Sequence, residues 1–205
     1  MLEAIKDPRS ILSAPSIYGL FNVLIGASRC RRIFVNKYVR PQAGNLILDI
    51  GCGPADIIEH LPKVKYIGFD ASPEYIQSAR SRFGDRADFR CELVSKKTLE
   101  QEACFDIVLA TGILHHLDDL EALQLCQLAH TALKPGGRLV TFDGCYMNRQ
   151  SPITRYLLSK DRGQYVRDRE GYLKIVSRVF SDVAVNIRHD LLRIPYTHII
   201  LECTK

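Results

Sequence analysis

The sequence lacks the cysteine spacing of a zinc site or a disulfide framework. Its seven cysteines include no CxxC pair, and their number is odd. Zinc sites and small disulfide-rich domains carry regularly spaced cysteines. We therefore expect no metal site, no disulfides and a reducing, cytoplasmic location, with most of the thiols buried as small hydrophobic groups.

A targeting or membrane-spanning segment is also missing from the pattern. Four of the first nine residues are charged, which is unlike a secretory signal peptide. The stretch Ile11–Ser28 is fairly apolar, but proline, glycine and asparagine interrupt it and its length is marginal for a bilayer span. We interpret it as a leading helix that packs on the domain. A loose membrane contact without stable insertion is the alternative.

The net positive charge is too small to identify a binding partner. The 205 residues carry a formal net charge of +5, which suits an anionic partner but also fits ordinary surface lysines and arginines. No basic stripe interleaved with aromatic residues stands outside residues 144–170, so nucleic acid is not the expected partner. The length fits a single domain without repeats.

From residue 46 onward, short apolar runs alternate with helical stretches. Such runs are typical of strands buried on both faces, and the alternation predicts a parallel sheet with helices on both sides. The last two runs are joined by eight residues, too few for a parallel crossover, so the final strand is expected to insert antiparallel. The predicted strands are Leu46–Ile50, Tyr66–Asp70, Ala87–Leu93, Phe105–Ala110, Arg138–Asp143, Val183–His189 and His198–Cys203. The predicted helices are one from Ser72-Pro73-Glu74 to Gly84, Leu120–Leu133 and Tyr172–Val179.

The most informative segment is DIGCGPAD, residues 49–56, directly after the first strand. Gly51 and Gly53 can adopt positive φ and let a ligand lie against the backbone. The turn leads into a short helix, so free N–H groups are expected to point at the ligand. Asp49 would repel a pyrophosphate and attract a cation, and position 56 lacks the third glycine of the dinucleotide fingerprint. A purely structural turn is the alternative.

Asp70 ends the second strand, where a carboxylate can accept hydrogen bonds from both hydroxyls of a ribose. For both acidic residues a structural role remains open. Asp49 would then be a turn or capping residue. Asp70 would be an ordinary residue before a helix that Ser72 caps.

Four segments together resemble the class I S-adenosylmethionine-dependent methyltransferases that act on small molecules. They are LILDIGCGPAD, YIGFDASPEYIQSAR, FDIVLATGILHHLDD and LKPGGRLV, and the resemblance spans roughly residues 44–143. It implies a doubly wound, mostly parallel seven-stranded sheet with an antiparallel last strand. It divides one domain into a helical segment (1–43), a cofactor core (44–143), a candidate substrate lid (144–170) and a final helix with a β-hairpin (171–205).

The resemblance also implies which residues bind S-adenosyl-L-methionine. The glycines would approach its methionine part near Asp49, and Asp70 would hold the ribose. Glu92-Leu93 is the nearest match to the usual adenine contact, and Ala55 replaces a common third glycine. The full expected set is Asp49, Gly51, Cys52, Gly53, Asp70, Ala71, Ser72, Glu92, Leu93 and Thr111.

Catalytic candidates follow the fourth strand. His115 and His116 stand at the carboxyl end of the sheet, where ligands bind in open α/β folds. A histidine there could accept a proton from an acceptor hydroxyl. In the family the position of His116 frequently has a packing role, which is the alternative.

Residues 144–170 are rich in tyrosine and basic side chains. Tyr146, Arg149, Arg155 and Arg162 are candidates for binding an anionic small-molecule acceptor. An exposed helix with solvated charges is the alternative. Absent motifs disfavour base, cytosine-C5 and arginine methylation. Two other functions stay open, a cofactor-binding regulatory or assembly protein without turnover and an RNA methyltransferase.

Overall fold

The computed structural model describes residues 24–95, 99, 104–160 and 163–205. The predicted leading helix falls mostly on residues 1–23, outside this part of the chain. The strands are β1 Leu46–Ile50, β2 Lys65–Phe69, β3 Ala87–Arg90, β4 Phe105–Thr111, β5 Leu133–Tyr146, β6 Arg167–Asp168, β7 Asp182–Arg188 and β8 His198–Thr204. The helices are α1 Ala27–Phe34, α2 Pro73–Phe83, α3 Asp119–Ala132, α4 Pro152–Ser159 and α5 Arg169–Val176.

The main sheet has the strand order β3-β2-β1-β4-β5-β8-β7. The pairings from β3 to β5 are parallel, whereas β8 lies antiparallel between β5 and β7. Successive strands are added on one side of β1 up to β3 and on the other side from β4 onward. The carboxyl ends of β1 and β4, which lie where this order switches, therefore border a crevice. The predicted fold class, a doubly wound mostly parallel sheet with an antiparallel last strand, is confirmed.

Helices cover both faces of the sheet, as predicted. One buried cluster contains residues of α3 and α5, and the other contains residues of α1 and α2. The strand bounds agree with the predicted ones within three residues except at β5. There, Leu133 pairs with Phe105 and pairing resumes at Arg138 opposite Ile107, so the Lys134–Gly137 turn is included in the strand as an irregularity.

The start of α2 and α3 is specified locally by the side chains that precede them. The Ser72 hydroxyl accepts a hydrogen bond from the Tyr75 N–H at the start of α2. At α3, the Asp118 carboxylate accepts from Leu120 and Glu121, and Glu121 accepts from the Asp118 N–H, which is a capping box. The capping box at Asp118 also fixes where the turn after β4 ends.

Arg138 on β5 ties the helical segment that begins with α1 to the sheet. α1 continues into a π-helical turn, Val35–Val39. The Arg138 guanidinium on β5 donates to the Tyr38 and Val39 carbonyls and pairs with Glu202 on β8. These bonds satisfy carbonyls that a helix end otherwise leaves without partners. They hold the π-helical turn that follows α1 against the sheet.

The seven cysteines are free thiols, and five of them are buried (Cys30, Cys52, Cys126, Cys145 and Cys203). Within the described ranges, no group of three or more His, Cys, Asp or Glu side chains could hold a metal ion. No helix in that same part of the chain is both long and apolar enough to cross a bilayer.

Candidate active site

Two adjoining cavities lie at the carboxyl ends of β1, β2, β4 and β5. The first has a volume of about 610 Å³ and the second about 820 Å³. Gly51, Asp70, Ile113 and His116 line both of them. Ile113 lies close over Gly51, because a Cβ added to that glycine would be 2.2 Å from the Ile113 Cδ1 atom. Gly51 and Ile113 are therefore in contact at the boundary of the two cavities, and a side chain at position 51 would displace Ile113.

The turn after β1 depends on left-handed backbone conformations. Gly51 has a φ of +72° and Gly53 a φ of +55°, which glycine adopts without steric cost. Ala55 has a φ of +56°, a conformation that costs an alanine about 1 kcal/mol. The alanine at the position where glycine is common in the family is therefore accommodated, at a small cost in stability.

The glycine turn is hydrogen-bonded to β2 and to the residue that follows it. The Gly51 and Cys52 N–H groups both donate to the Phe69 carbonyl, at 2.8 and 2.9 Å. The Gly53 N–H donates to the Asp70 carboxylate at 2.9 Å. These three N–H groups are thus used inside the protein and do not point freely at a ligand. The turn instead offers carboxylates and close backbone approach.

Asp70 is the junction of the two cavities. Its Oδ2 accepts from Gly53, and its Oδ1 accepts from the Ser72 N–H at 2.8 Å. Each carboxylate oxygen keeps further lone pairs for a ligand hydroxyl. The two backbone bonds fix the carboxylate in one orientation toward the cavities.

Asp49 is a buried carboxylate in the wall of the first cavity. The Tyr66 hydroxyl on β2 donates to its Oδ2 at 2.5 Å, and its Oδ1 has no hydrogen-bond partner. Burial raises the pKa of Asp49 to about 7, the Tyr66 hydrogen bond opposes that rise, and the Asp70 charge adds to it. A cationic group at Oδ1 would complete the partners of this carboxylate.

The second cavity is mainly apolar. Ala71 lines it at the end of β2, and Glu92 and Leu93 line it beyond β3, with Leu93 77% exposed. Ser72 lines neither cavity, because its hydroxyl caps α2. Of the ten expected cofactor residues, the other nine lie together at the two cavities.

Cys52 and Thr111 complete that group in the first cavity. Burial raises the pKa of the Cys52 thiol, followed by the nearby charges of Asp49 and Asp70. The thiol therefore stays protonated and acts as a packing group. Thr111 is the last residue of β4 and places its side chain beside the turn that carries the two histidines.

His115 and His116 occupy a short 3₁₀ turn, Leu114–His116, after β4. The His115 ring is buried, and its Nδ1 lies 2.8 Å from the Oδ1 of Asp143 on β5. Asp143 is itself 1% exposed, and its Oδ1 also accepts from the His115 N–H. His116 is exposed and borders both cavities, and its ring centroid is 4.3 Å from that of His115.

The candidate lid residues do not line either cavity. The Arg155 guanidinium lies 5.2 Å from the centre of the Tyr146 ring, and Arg149 occupies a turn before α4. Arg162 lies outside the described residues. A different part of the lid segment reaches the site, because the Tyr165 N–H donates to the His115 carbonyl at 2.9 Å.

The outer wall of the first cavity comes from α1 and β5, which the sequence reasoning did not place there. Phe34 and Phe142 meet edge to face with ring centroids 5.1 Å apart. Arg31, also on α1, lines the cavity and pairs with Asp56 at 2.7 Å. Arg82 pairs with the other oxygen of Asp56 but does not line this cavity.

Sequence reasoning also missed Tyr66, Ile113 and Asp143. A signal existed for Asp143, since it follows an apolar strand that neighbours β4, and carboxyl ends of adjacent parallel strands meet at one edge. Tyr66 stands inside a buried strand, where a tyrosine hydroxyl requires a partner.

The chain is similar to known methyltransferases. Residues 47–137 match a family model described as a methyltransferase domain. The ubiquinone biosynthesis O-methyltransferase of Xylella fastidiosa (strain 9a5c) is 34% identical over 111 residues, 52% of this chain and 44% of that protein. The mitochondrial ubiquinone biosynthesis O-methyltransferase of Rattus norvegicus is 34% identical over 110 residues, 49% of this chain and 31% of that protein. The chain thus spans less than half the length of these curated relatives.

Solved structures share the fold. A phosphoethanolamine N-methyltransferase of Haemonchus contortus, in complex with phosphomonomethylethanolamine and S-adenosylhomocysteine, aligns with a TM-score of 0.73 at 14% identity. That alignment covers 96% of this chain and 58% of that one. An S-adenosylmethionine-dependent methyltransferase of Methanosarcina mazei aligns with a TM-score of 0.63 at 17% identity, covering 83% and 96%.

The raised pKa of Asp49 predicts a pH dependence of stability. Between about pH 4 and pH 7 the folded protein keeps a proton on Asp49 that the unfolded chain has lost, so this group's contribution to stability falls as pH rises through that window. Asp49→Asn removes the dependence. Its free energy of unfolding relative to wild type should rise by up to about 1.4 kcal/mol per pH unit in this window and be constant above it.

Urea unfolding at a series of pH values measures this difference. Asp85→Asn, at an exposed position, is the control and should follow wild type. Parallel profiles for wild type and Asp49→Asn would contradict the buried carboxylate.

Proposed function

We propose that this protein, whose residues 47–137 match a methyltransferase domain, transfers the methyl group of S-adenosylmethionine to an oxygen atom of a small acceptor. The observation that carries the proposal is the pair of carboxylates beside the glycine turn. Asp49 is buried with one oxygen unpartnered, and Asp70 lies at the junction of the two cavities.

The residues present fit this cofactor. The unpartnered Oδ1 of Asp49 suits the α-amino group and the nearby sulfonium charge. Asp70 suits the two ribose hydroxyls. The apolar second cavity, with Ala71, Glu92 and Leu93 in its wall, suits the adenine. A dinucleotide is a poor match, because Asp49 would face its pyrophosphate.

The cofactor supplies a methyl group that its positive sulfur already activates. The protein must mainly align the acceptor, exclude water and remove the acceptor's proton. Phe34 and Phe142 form an apolar wall that limits water in the first cavity.

We assign the general base to His115. With a proton on Nδ1 donated to Asp143, the Nε2 atom becomes the acceptor of the hydroxyl proton. The buried Asp143 carboxylate stabilises the imidazolium that forms. His116, exposed at the boundary of the cavities, is assigned to contact with bound ligand rather than to proton transfer.

Support for an oxygen acceptor comes from two sources. The relatives reported above are named O-methyltransferases, and a histidine base is needed only for a nucleophile that must lose a proton. Support for an anionic acceptor comes from Arg31, which lines the first cavity and pairs with Asp56 through Nη2, so that most of its donors remain for a ligand.

The cofactor proposal is tested by calorimetric titration with S-adenosylhomocysteine. Asp70→Ala should weaken binding about 10- to 100-fold, because an ionised acceptor of ribose hydroxyls is lost. Asp70→Asn, which keeps one oxygen acceptor, should lose less. Asp88→Asn on β3, exposed and outside both cavities, is the control. Unchanged affinity in Asp70→Ala, or preference for a dinucleotide, would overturn the assignment.

The base is tested by turnover of S-adenosylmethionine with 3,4-dihydroxybenzoate as an acceptor probe. His115→Ala should lower kcat about 10²- to 10⁴-fold with S-adenosylhomocysteine affinity near that of wild type. His116→Ala should have a smaller effect. Equal turnover in wild type and both variants would remove the histidines from the chemistry. Cofactor binding without turnover of any phenolic probe would favour the non-enzymatic alternative.

The anionic acceptor is tested by comparing 3,4-dihydroxybenzoate with its neutral amide on protein saturated with S-adenosylhomocysteine. Arg31→Met should weaken the carboxylate probe about tenfold more than the amide, since a hydrogen bond to a charged group is lost. Arg82→Met loses an ion pair to the same Asp56 and serves as the matched control. If Arg149→Met or Arg155→Met has the larger effect, the lid provides the cation instead.

A further inference from the structure

The chain after α4 returns to the site through β6. Arg167 and Asp168 pair in parallel with Cys145 and Tyr146, immediately beyond Asp143 on β5. The same short strand is therefore anchored to the element that carries the carboxylate partner of His115.

The Arg167 guanidinium makes a dense set of contacts for a side chain that is 10% exposed. Its Nη1 donates to the Leu114 carbonyl at 2.8 Å and to Tyr165, and its Nη2 donates to the Leu117 carbonyl at 2.7 Å. Nε and Nη2 both reach the Asp119 carboxylate. These carbonyls flank His115 and His116 on the 3₁₀ turn.

A backbone hydrogen bond from a nearby residue also holds the same turn. The Tyr165 N–H donates a hydrogen bond to the carbonyl of His115 itself. The segment from Tyr165 to Arg167 therefore satisfies the carbonyls of Leu114, His115 and Leu117. These carbonyls would otherwise need water as their hydrogen-bond partner, so this one segment fixes the backbone of the turn.

Gly163 packs against the His115 ring. A Cβ added at this position would lie 1.9 Å from His115 Cδ2 and 2.7 Å from the His115 carbonyl oxygen. No other residue fits there without moving the ring. The backbone of the segment thus sets the ring's position on the side away from Asp143.

We propose that Arg167 is a positioning residue that holds the His115 ring in hydrogen-bonding register with Asp143. The proposal rests on the role of His115 in the proposed function. Arg167 links β5, which carries Asp143, to the turn after β4, which carries His115. A planar guanidinium can donate to several carbonyls at once, whereas a lysine ammonium offers no such fixed fork. Asp119 balances its charge at the surface.

The experiment compares Arg167→Met, Arg167→Lys and Gly163→Ala with the control Asp119→Asn, which removes only the 75% exposed carboxylate. Proton NMR of the protein without ligand follows the signal of the His115 Nδ1 proton, assigned by its absence in His115→Gln. Turnover with 3,4-dihydroxybenzoate and affinity for S-adenosylhomocysteine are measured on the same samples.

We expect the Nδ1 proton signal to shift or broaden in both Arg167 variants and in Gly163→Ala. kcat should fall about 10- to 100-fold, the effect of a misplaced catalytic group, with less than a threefold change in KM. Arg167→Lys should lie between wild type and Arg167→Met. Asp119→Asn should keep the signal and the turnover.

An unchanged Nδ1 signal and turnover in folded Arg167→Lys and Gly163→Ala would overturn the proposal, whatever happens to their melting temperatures. If His115→Ala keeps full turnover, the proposed base is wrong, but the NMR signal still decides whether Arg167 positions the ring. The two failures are therefore distinguishable.

Discussion

Three carboxylates at the ends of parallel strands, two buried and one half-buried, determine how this site is built. Asp49, Asp70 and Asp143 end or nearly end β1, β2 and the paired part of β5, and taking a charge out of water is costly unless it finds partners. Each finds different ones: the Tyr66 hydroxyl, two backbone N–H groups, and the His115 ring. The geometry of the site follows from the positions of these partners.

The two halves of the site are constructed by different means. The half proposed to bind the cofactor is organised by backbone N–H groups of the glycine turn, which donate to the Phe69 carbonyl and the Asp70 carboxylate. The half proposed to bind the acceptor is made of side chains from separate elements, with Phe34 and Arg31 on α1 and His115 after β4. Its geometry consequently depends on how those elements are held, by Arg138 for α1 and by Arg167 for the histidine turn.

The sequence was sufficient where function depends on contiguous residues. The positions of the strands, the antiparallel β8 and the glycine turn with Asp49 and Asp70 follow from local patterns. Partners that come from a neighbouring strand, such as Tyr66 and Asp143, were missed because their roles depend on which strands lie side by side. The glycine turn itself offers fewer free N–H groups than its sequence suggests, because the Phe69 carbonyl accepts those of Gly51 and Cys52. A count of basic residues in 144–170 could not tell which side chains face the cavity, and the cation that does so, Arg31, stands far away in the sequence.

The two halves of the site come from different parts of the chain, which has an evolutionary consequence. The methyltransferase family model matches residues 47–137. Several side chains of the site lie outside that range: Arg31 and Phe34 precede it, and Phe142, Gly163 and Arg167 follow it. Exchange of these flanking segments would leave the glycine turn, Asp49 and Asp70 untouched. Under the proposed function, selectivity for the acceptor can therefore change through these segments while the turn proposed to bind the nucleoside stays the same.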